Sequence, residues 1–265
     1  LPVLADNFYG HPSKMLKMIG VTGTNGKTTI TYIIESIIKR AGKLPGLIGT
    51  INYRFGGREI MPATNTTPGP IELQAMLAEM LKRGAGYVIM EVSSHALDQR
   101  RADKVLFDTA IFTNVTSEHL DYHKTITNYF KAKARIFDQL KKGGTAVLNN
   151  DDKKVLALKR KISAKALTYG MGRRADIRAE VIELALGGSR FRAVTPRGSI
   201  DIETDLIGRH NVSNILAAIA ASSALGISRD TIREGVRCCR RVPGRLEPID
   251  VGQPFRVFVD FAHTE

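Results

Sequence analysis

Within seven residues, Gly23-Thr24-Asn25-Gly26-Lys27-Thr28-Thr29, the chain offers two glycines, a lysine and three hydroxyls. That set suits a polyphosphate. The glycines permit positive φ and close backbone approach. Unpaired N–H groups at the start of a following helix would point at the anion, with the helix dipole behind them. Lys27 would reach the outer phosphates, and the Thr28 hydroxyl would ligate Mg²⁺. The strict phosphate-loop pattern asks for glycine where this chain has Val21. A glycine-rich turn before an ordinary helix is therefore the competing reading; the strand before and the helix after favour the phosphate loop.

Two more clusters carry titratable groups. Glu91-Val-Ser-Ser-His95 follows an apolar run. Ligands of open parallel sheets collect beyond the carboxyl ends of the strands, so Glu91 is expected beside the loop as an oxygen ligand for a hard cation. The alternative is a solvated loop carboxylate. Asn114-Val-Thr-Ser-Glu-His-Leu-Asp-Tyr-His123 offers His119, Asp121 and His123. A zinc site, a proton relay and a polar loop all fit this run, although structural zinc is disfavoured without further thiols or histidines. His123 stays open between a functional and a solvated residue. Lys131 and Lys133 fall on a helix, where surface lysines are the default. A desolvated, neutral lysine can also react with CO₂ to give an anionic carbamate, which can ligate Mg²⁺.

The elements that must position these groups follow from periodicity. Met18–Val21 reads as a buried strand, and Lys27 opens an amphipathic helix to about Arg40. Strands are predicted at Leu44–Ile48, Tyr87–Met90, Thr109–Phe112, Thr145–Leu148 and Ala166–Tyr169, with a hairpin over Asn52–Ile60. Helices are predicted at Ile71–Arg83, Asn128–Gln139 and Lys153–Lys161. This alternation predicts an α/β fold, a mostly parallel sheet with helices on both faces. Residues 177–205 then alternate apolar and polar about Gly187-Gly188 and Pro196-Arg-Gly198, which predicts a small antiparallel sheet. Helices at Val212–Leu225 and Arg229–Cys239 and a last strand at Arg256–Asp260 complete the pattern. Residues 1–16 read as loop.

The chain has 265 residues, 43% of them hydrophobic, and a net charge of +13. No apolar run approaches the ~18–20 residues of a membrane span, and no signal peptide is evident. The two cysteines, Cys238 and Cys239, are adjacent, which fits reduced structural residues and a cytoplasmic compartment. The charge admits nucleic-acid binding, attraction of anionic small molecules, or loss of an acidic partner domain. Only 6% of residues are aromatic and they do not interleave with basic ones, so nucleic acid is the weaker reading.

The phosphate loop, Thr64-Asn-Thr-Thr-Pro68, Glu91-Val-Ser-Ser-His95 with Gln99 and Arg101, His119-Leu-Asp-Tyr-His123 and Tyr129 through Lys133 together resemble the Mur ligases. His210-Asn-Val-Ser-Asn214, Pro243-Gly-Arg-Leu-Glu247 and Val259-Asp-Phe-Ala-His263 match in the same order. The resemblance covers nearly the whole chain and is greatest to the MurE type, which adds the third peptide residue to a UDP-muramoyl dipeptide. It implies an ATP-dependent amide ligase working through an acyl phosphate. Its partners would be UDP-MurNAc-L-Ala-D-Glu and a diamino acid, diaminopimelate or lysine.

By the same resemblance, Gly23 to Thr29 would hold ATP. Thr28 and Glu91 would hold one Mg²⁺, and His119 with a carbamylated Lys133 a second. Asn65, Thr66, Thr67, Ser93, Gln99 and Arg101 would bind the muramoyl substrate. Asn211 and Asn214 would face the adenine, Arg245 an ATP phosphate and Asp260 the ribose. For Asn211 and Asn214 a helix N-cap and a first-turn polar residue is the other reading.

The family pattern also includes an N-terminal uridine-binding domain and a C-terminal domain with an Asp-Asn-Pro-Arg-type motif, and it has Pro where this chain has Glu265. The chain is thus expected to be a piece. Residues 1–16 would be a linker, 17–245 the central ATP-binding domain and 246–265 the start of a further domain, in a monomer. The alternatives are another Mur-type or folylpolyglutamate synthase-like ligase, and a non-catalytic nucleotide- or nucleic-acid-binding module.

Overall fold

The computed structural model describes residues 1–261. It begins with helices α1 (Pro2–Phe8) and α2 (Pro12–Met15), then β1 (Lys17–Thr22), α3 (Lys27–Arg40), β2 (Pro45–Ile48) and the hairpin β3 (Asn52–Phe55) and β4 (Arg58–Pro62). There follow α4 (Pro70–Lys82), β5 (Tyr87–Glu91), α5 (Ser94–Asp98), β6 (Phe107–Phe112), α6 (Leu120–His123) and α7 (Ile126–Ala134). Next come β7 (Leu140–Asn149), α8 (Lys153–Ala157), β8 (Lys165–Gly170) and the meander β9 (Ile177–Ala185), β10 (Gly188–Thr195) and β11 (Gly198–Thr204). The chain closes with α9 (Arg209–Ala224), α10 (Arg229–Cys238), β12 (Glu247–Ile249) and β13 (Val257–Val259).

Eleven strands form one sheet in the order β11-β10-β9-β8-β7-β6-β1-β5-β2-β3-β4. From β9 to β2 neighbours pair in parallel, and antiparallel hairpins close both edges. Both faces of the parallel part are covered, which is why these strands read as unbroken apolar runs rather than alternating ones. Ile19 and Val21 of β1 and Ile89 of β5 face α3, α9 and α10. Met18, Val88 and Met90 point the other way, toward α4, α5 and α7. Between them, Gly20 lies under the Phe107 ring, where a Cβ would meet a ring carbon at 2.7 Å.

Several expectations change. The start is two short helices packed on α4 rather than a loop. Pro2 and Pro12 sit at helix starts, where a missing N–H costs nothing. The meander is not a separate sheet, because β9 pairs in parallel with β8 and extends the main one. The separate antiparallel pair is β12–β13. The expected helix 128–139 is α7 followed by a 3-10 turn, Arg135–Gln139. Cys238 ends α10 exposed, Cys239 lies just beyond it, buried, and both are free. Burial pushes the Cys239 thiol up to about 12. Among the described residues no helix is long and apolar enough to cross a membrane.

Candidate functional site

β1 and β5 run side by side, with Val21 opposite Glu91, so the turn after β1 and the last residue of β5 emerge together. Gly23 (φ 144) and Gly26 (φ 90) shape that turn. A Cβ on Gly23 would strike Thr113 Oγ1, and one on Gly26 would come within 2.4 Å of Asn214 Oδ1. The loop is further pinned by Asn114, whose Oδ1 accepts from the Asn25 N–H at 2.9 Å, and by the Thr113 hydroxyl, which donates to the Asn25 carbonyl at 2.6 Å. α3 then starts at Lys27, so its free N–H groups face the cavity mouth.

Glu91 is fully buried. Its Oε2 accepts from the Thr28 hydroxyl at 3.1 Å and from the Thr50 hydroxyl at 2.9 Å, and its Oε1 accepts from the Thr50 N–H at 3.0 Å. The expected pairing of Thr28 with Glu91 is therefore present. Its second partner, Thr50, two residues beyond β2, had no motif to reveal it. Thr50 Oγ1 also lies 3.1 Å from Thr66 Oγ1, which ties the carboxylate to the 64–68 loop.

Two lysines meet at one carbonyl. Lys27 Nζ donates to Gly23 O at 2.9 Å and Thr24 O at 2.8 Å, and Lys133 Nζ donates to Gly23 O at 2.8 Å. Burial lowers the pKa of both, most strongly for Lys133, where the Lys27 charge adds to the effect. Lys133 is thus a buried amine, not the surface lysine that is the default for its type. It sits 4.4 Å over the Tyr129 ring. The Tyr129 hydroxyl donates to Glu118 Oε2 at 2.9 Å and lies 3.3 Å from Thr24 Oγ1.

The 113–119 loop is held from the start of α8, whose N-cap is Asp152. Asp152 accepts from the N–H groups of Lys154 and Val155 with one oxygen and from the Val115 N–H, at 2.9 Å, with the other. His119 Nε2 stands 3.8 Å from Glu118 Oε2 and packs edge-on to His95. His123 is buried, its Nε2 3.0 Å from Ser94 Oγ, so it is not a solvated loop residue. Burial lowers the pKa of both His95 and His123.

A cavity of about 620 Å³ brings these groups together. Gly26, Lys27, Thr28, Thr29, Glu91, His119, Lys133, Asn211, Asn214, Arg245 and Asp260 reach it, as do Thr24, Asn25, Thr66 and Ser93. Asn65, Thr67, Gln99 and Arg101 do not line it; Arg101 instead donates to the Thr67 carbonyl at 2.6 Å, and Thr67 Oγ1 to the Glu91 carbonyl at 2.9 Å. Neither asparagine caps α9, which starts after Gly208. Asn214 donates to Asn211 Oδ1 at 3.1 Å. Glu118, His210 and Phe261 also line the cavity, and sequence reasoning missed all three. Glu118 carried a signal, being acidic beside a candidate ligand; the others depend on tertiary placement. His263 and Glu265 lie outside the described residues.

The donor set fits Mg²⁺. Hard oxygen atoms from a carboxylate and a hydroxyl converge beside a phosphate-sized cradle. Among the described residues no group of three or more His, Cys, Asp or Glu could hold a metal, so a cation there would draw its remaining ligands from phosphate and water.

Comparison with known proteins agrees with this geometry. The Mur ligase middle domain family matches residues 21–222. The UDP-N-acetylmuramoyl-L-alanyl-D-glutamate–2,6-diaminopimelate ligase of Geobacillus thermodenitrificans is 47% identical over all of this chain and 55% of its own length. That of Geobacter metallireducens is 46% identical over 97% of this chain and 51% of its own. The chain thus spans about half the length of the curated relatives it matches. A solved structure of a ligase with the same name superposes with a TM-score of 0.80 at 32% identity, over 89% of this chain and 48% of that one. Mycobacterium tuberculosis folylpolyglutamate synthase in complex with ADP shares the fold, with a TM-score of 0.83 at 20% identity over 99% of this chain and 66% of that one. With the family matched from the phosphate loop through α9, this chain belongs to the Mur ligases and carries their middle domain.

Proposed function

We propose that this chain is the nucleotide-binding centre of a cytoplasmic, monomeric, ATP-dependent amide ligase of peptidoglycan precursor synthesis. The reaction would join a diamino acid to the D-Glu side-chain carboxylate of UDP-MurNAc-L-Ala-D-Glu. The names of the relatives point to diaminopimelate rather than lysine. The observation that carries this reading is the buried Glu91 carboxylate held by Thr28 and Thr50 at the head of the phosphate loop.

The substrate carboxylate attacks the γ-phosphorus of ATP, the bond to the β–γ bridging oxygen breaks, and ADP leaves. The amine then attacks the acyl carbon, the C–O bond to phosphate breaks, and the amine gives up a proton. Little covalent work falls to the protein, so its residues act by position and charge. Backbone N–H groups from 23 to 29 cradle the phosphates, and Lys27, drawn off the loop carbonyls, follows the γ-phosphoryl group. Thr28 and Glu91 would hold one Mg²⁺, and His119 and carbamylated Lys133 a second. Metal ions held by these residues would supply positive charge against the transferring phosphoryl group.

A buried amine with a lowered pKa is the species that adds to CO₂, which supports the carbamate at Lys133. Asn65, Thr66, Thr67, Ser93, Gln99 and Arg101 would engage the muramoyl peptide. Asn211 and Asn214 would meet adenine, Arg245 a phosphate and Asp260 the ribose.

Calorimetric titration of the 265-residue chain with ATP and Mg²⁺ tests the first step, and saturable, Mg²⁺-dependent binding is expected. Turnover by the full-length protein of UDP-MurNAc-dipeptide with diaminopimelate, lysine or a folate substrate tests the rest. Absence of nucleotide binding, or turnover of the folate alone, overturns the reading.

A further inference from the structure

α7 has two working faces. Tyr129 and Lys133 look into the nucleotide cavity. Phe130, Lys131 and Ala134 line a second groove of about 660 Å³ on the other side, continued by the Arg135–Gln139 turn. The mechanism uses nothing in this groove. Five cations line it, Lys131, Arg135, Lys141, Lys142 and Lys161, against one acid, Asp138.

Two of the five are already neutralised: Arg135 pairs with Asp98 at 3.3 Å and Lys141 with Asp108 at 2.7 Å. Lys131, Lys142 and Lys161 make no ion pair among the described residues, and all three are exposed. The floor is apolar. Phe137 and Leu158 are buried there, with Phe130, Leu140 and Ile162 partly buried beside them.

A cationic rim around an apolar floor selects a ligand that carries several negative charges about an apolar anchor. The floor is recessed, so a flat bilayer surface would meet the lysines but not Phe137 or Leu158. Nucleic acid would need exposed rings to stack on; Phe137 is buried, and Phe130 is only partly exposed and already stacked on Phe112. We propose that this groove docks an acidic, extended peptide segment of a partner protein, with an apolar side chain seated between Phe130 and Leu158. This goes beyond the ligase reading and does not depend on it. The occupant would press on the turn that ends the helix carrying Lys133.

The test uses the 265-residue chain and a fluorescent probe peptide, Asp-Glu-Leu-Asp-Glu-Phe-Asp, read by anisotropy. Saturable binding is expected, weakening as salt rises past the Debye regime of about 0.1 M. The triple variant Lys131→Glu, Lys142→Glu, Lys161→Glu should lose at least about tenfold in affinity. These side chains are exposed, so its unfolding transition and its Mg²⁺-dependent nucleotide affinity should stay as in the parent. Equal binding by parent and triple variant overturns the proposal. So does no binding by the parent, or tighter binding of phosphatidylglycerol vesicles or a DNA oligonucleotide than of the peptide.

Discussion

The two walls of the nucleotide cavity are built in different ways. One stands at the carboxyl ends of β1, β5 and β6, where Glu91 is 0% exposed and every oxygen has a donor from a neighbouring element. The other comes from the end of the described chain, where Arg245 lies just before β12 and Asp260 and Phe261 just after β13. Among the described residues those two strands pair only with each other, and Phe261 is 63% exposed. An isolated two-stranded ribbon is marginal in water. The phosphate end is thus preorganised by the core, while the far wall is held by a few bonds such as the Leu246 N–H to Asp260 Oδ2 at 2.9 Å. On the proposed reading, the charge-bearing groups sit in the buried wall and the groups assigned to the nucleoside in the more exposed one.

The comparison breaks first at Glu91. Glu91→Gln keeps the shape but removes the charge, and Mg²⁺-dependent nucleotide affinity should fall about 100-fold, measured by calorimetry. An affinity within a factor of three of the parent would remove the preorganised wall from the account.

Lys133→Met sharpens it next. Burial, with the Lys27 charge beside it, lowers the pKa of this amine in the folded state below its ordinary value in the unfolded chain. The unfolded state therefore binds more protons between the lowered folded value and the ordinary 10.5. In CO₂-free buffer, parent stability should rise with pH across that window, and the cost should be fully present below it. The methionine variant should be more stable at pH 7 by roughly 1–2 kcal/mol, with the gap closing toward pH 10.5. Parallel urea-unfolding curves at all pH values would contradict this.

The smallest effect belongs to the ribbon. Asp260→Asn should weaken nucleotide binding by less than about fivefold and leave the unfolding free energy within about 0.5 kcal/mol. A large loss of stability would mean that the far wall is part of the core after all.

What the sequence disclosed was local. The phosphate loop is one contiguous run, and Glu91 follows four apolar residues in a strand covered on both faces. Periodicity and turn chemistry reach that far, and they also located the meander and α9. They did not reach Thr50, His210 or Phe261, whose place in the cavity depends on strand order and on where distant segments return. From spacing alone Lys133 has the default reading of a surface lysine, and only the family resemblance put it in the site, because composition cannot show that Tyr129 and the phosphate loop bury it. The first residues read as loop because Gly10 and Pro12 are turn signals, although Pro at a helix start serves equally well. The meander read as a separate sheet because alternation reveals an antiparallel neighbour but not which strand lies on the other side.

Strand glycines are common targets for stabilisation, since alanine lowers the entropy of the unfolded chain. Gly20 would be an obvious choice, sitting inside a regular, fully buried strand. Yet the Phe107 ring already occupies the space a methyl group would need. An engineer who made that change would be forcing apart β1 and the Phe107 ring of β6, directly beneath the turn that follows β1. The thermostability screen would report a failed variant, and the position of the missing carbon would explain the failure.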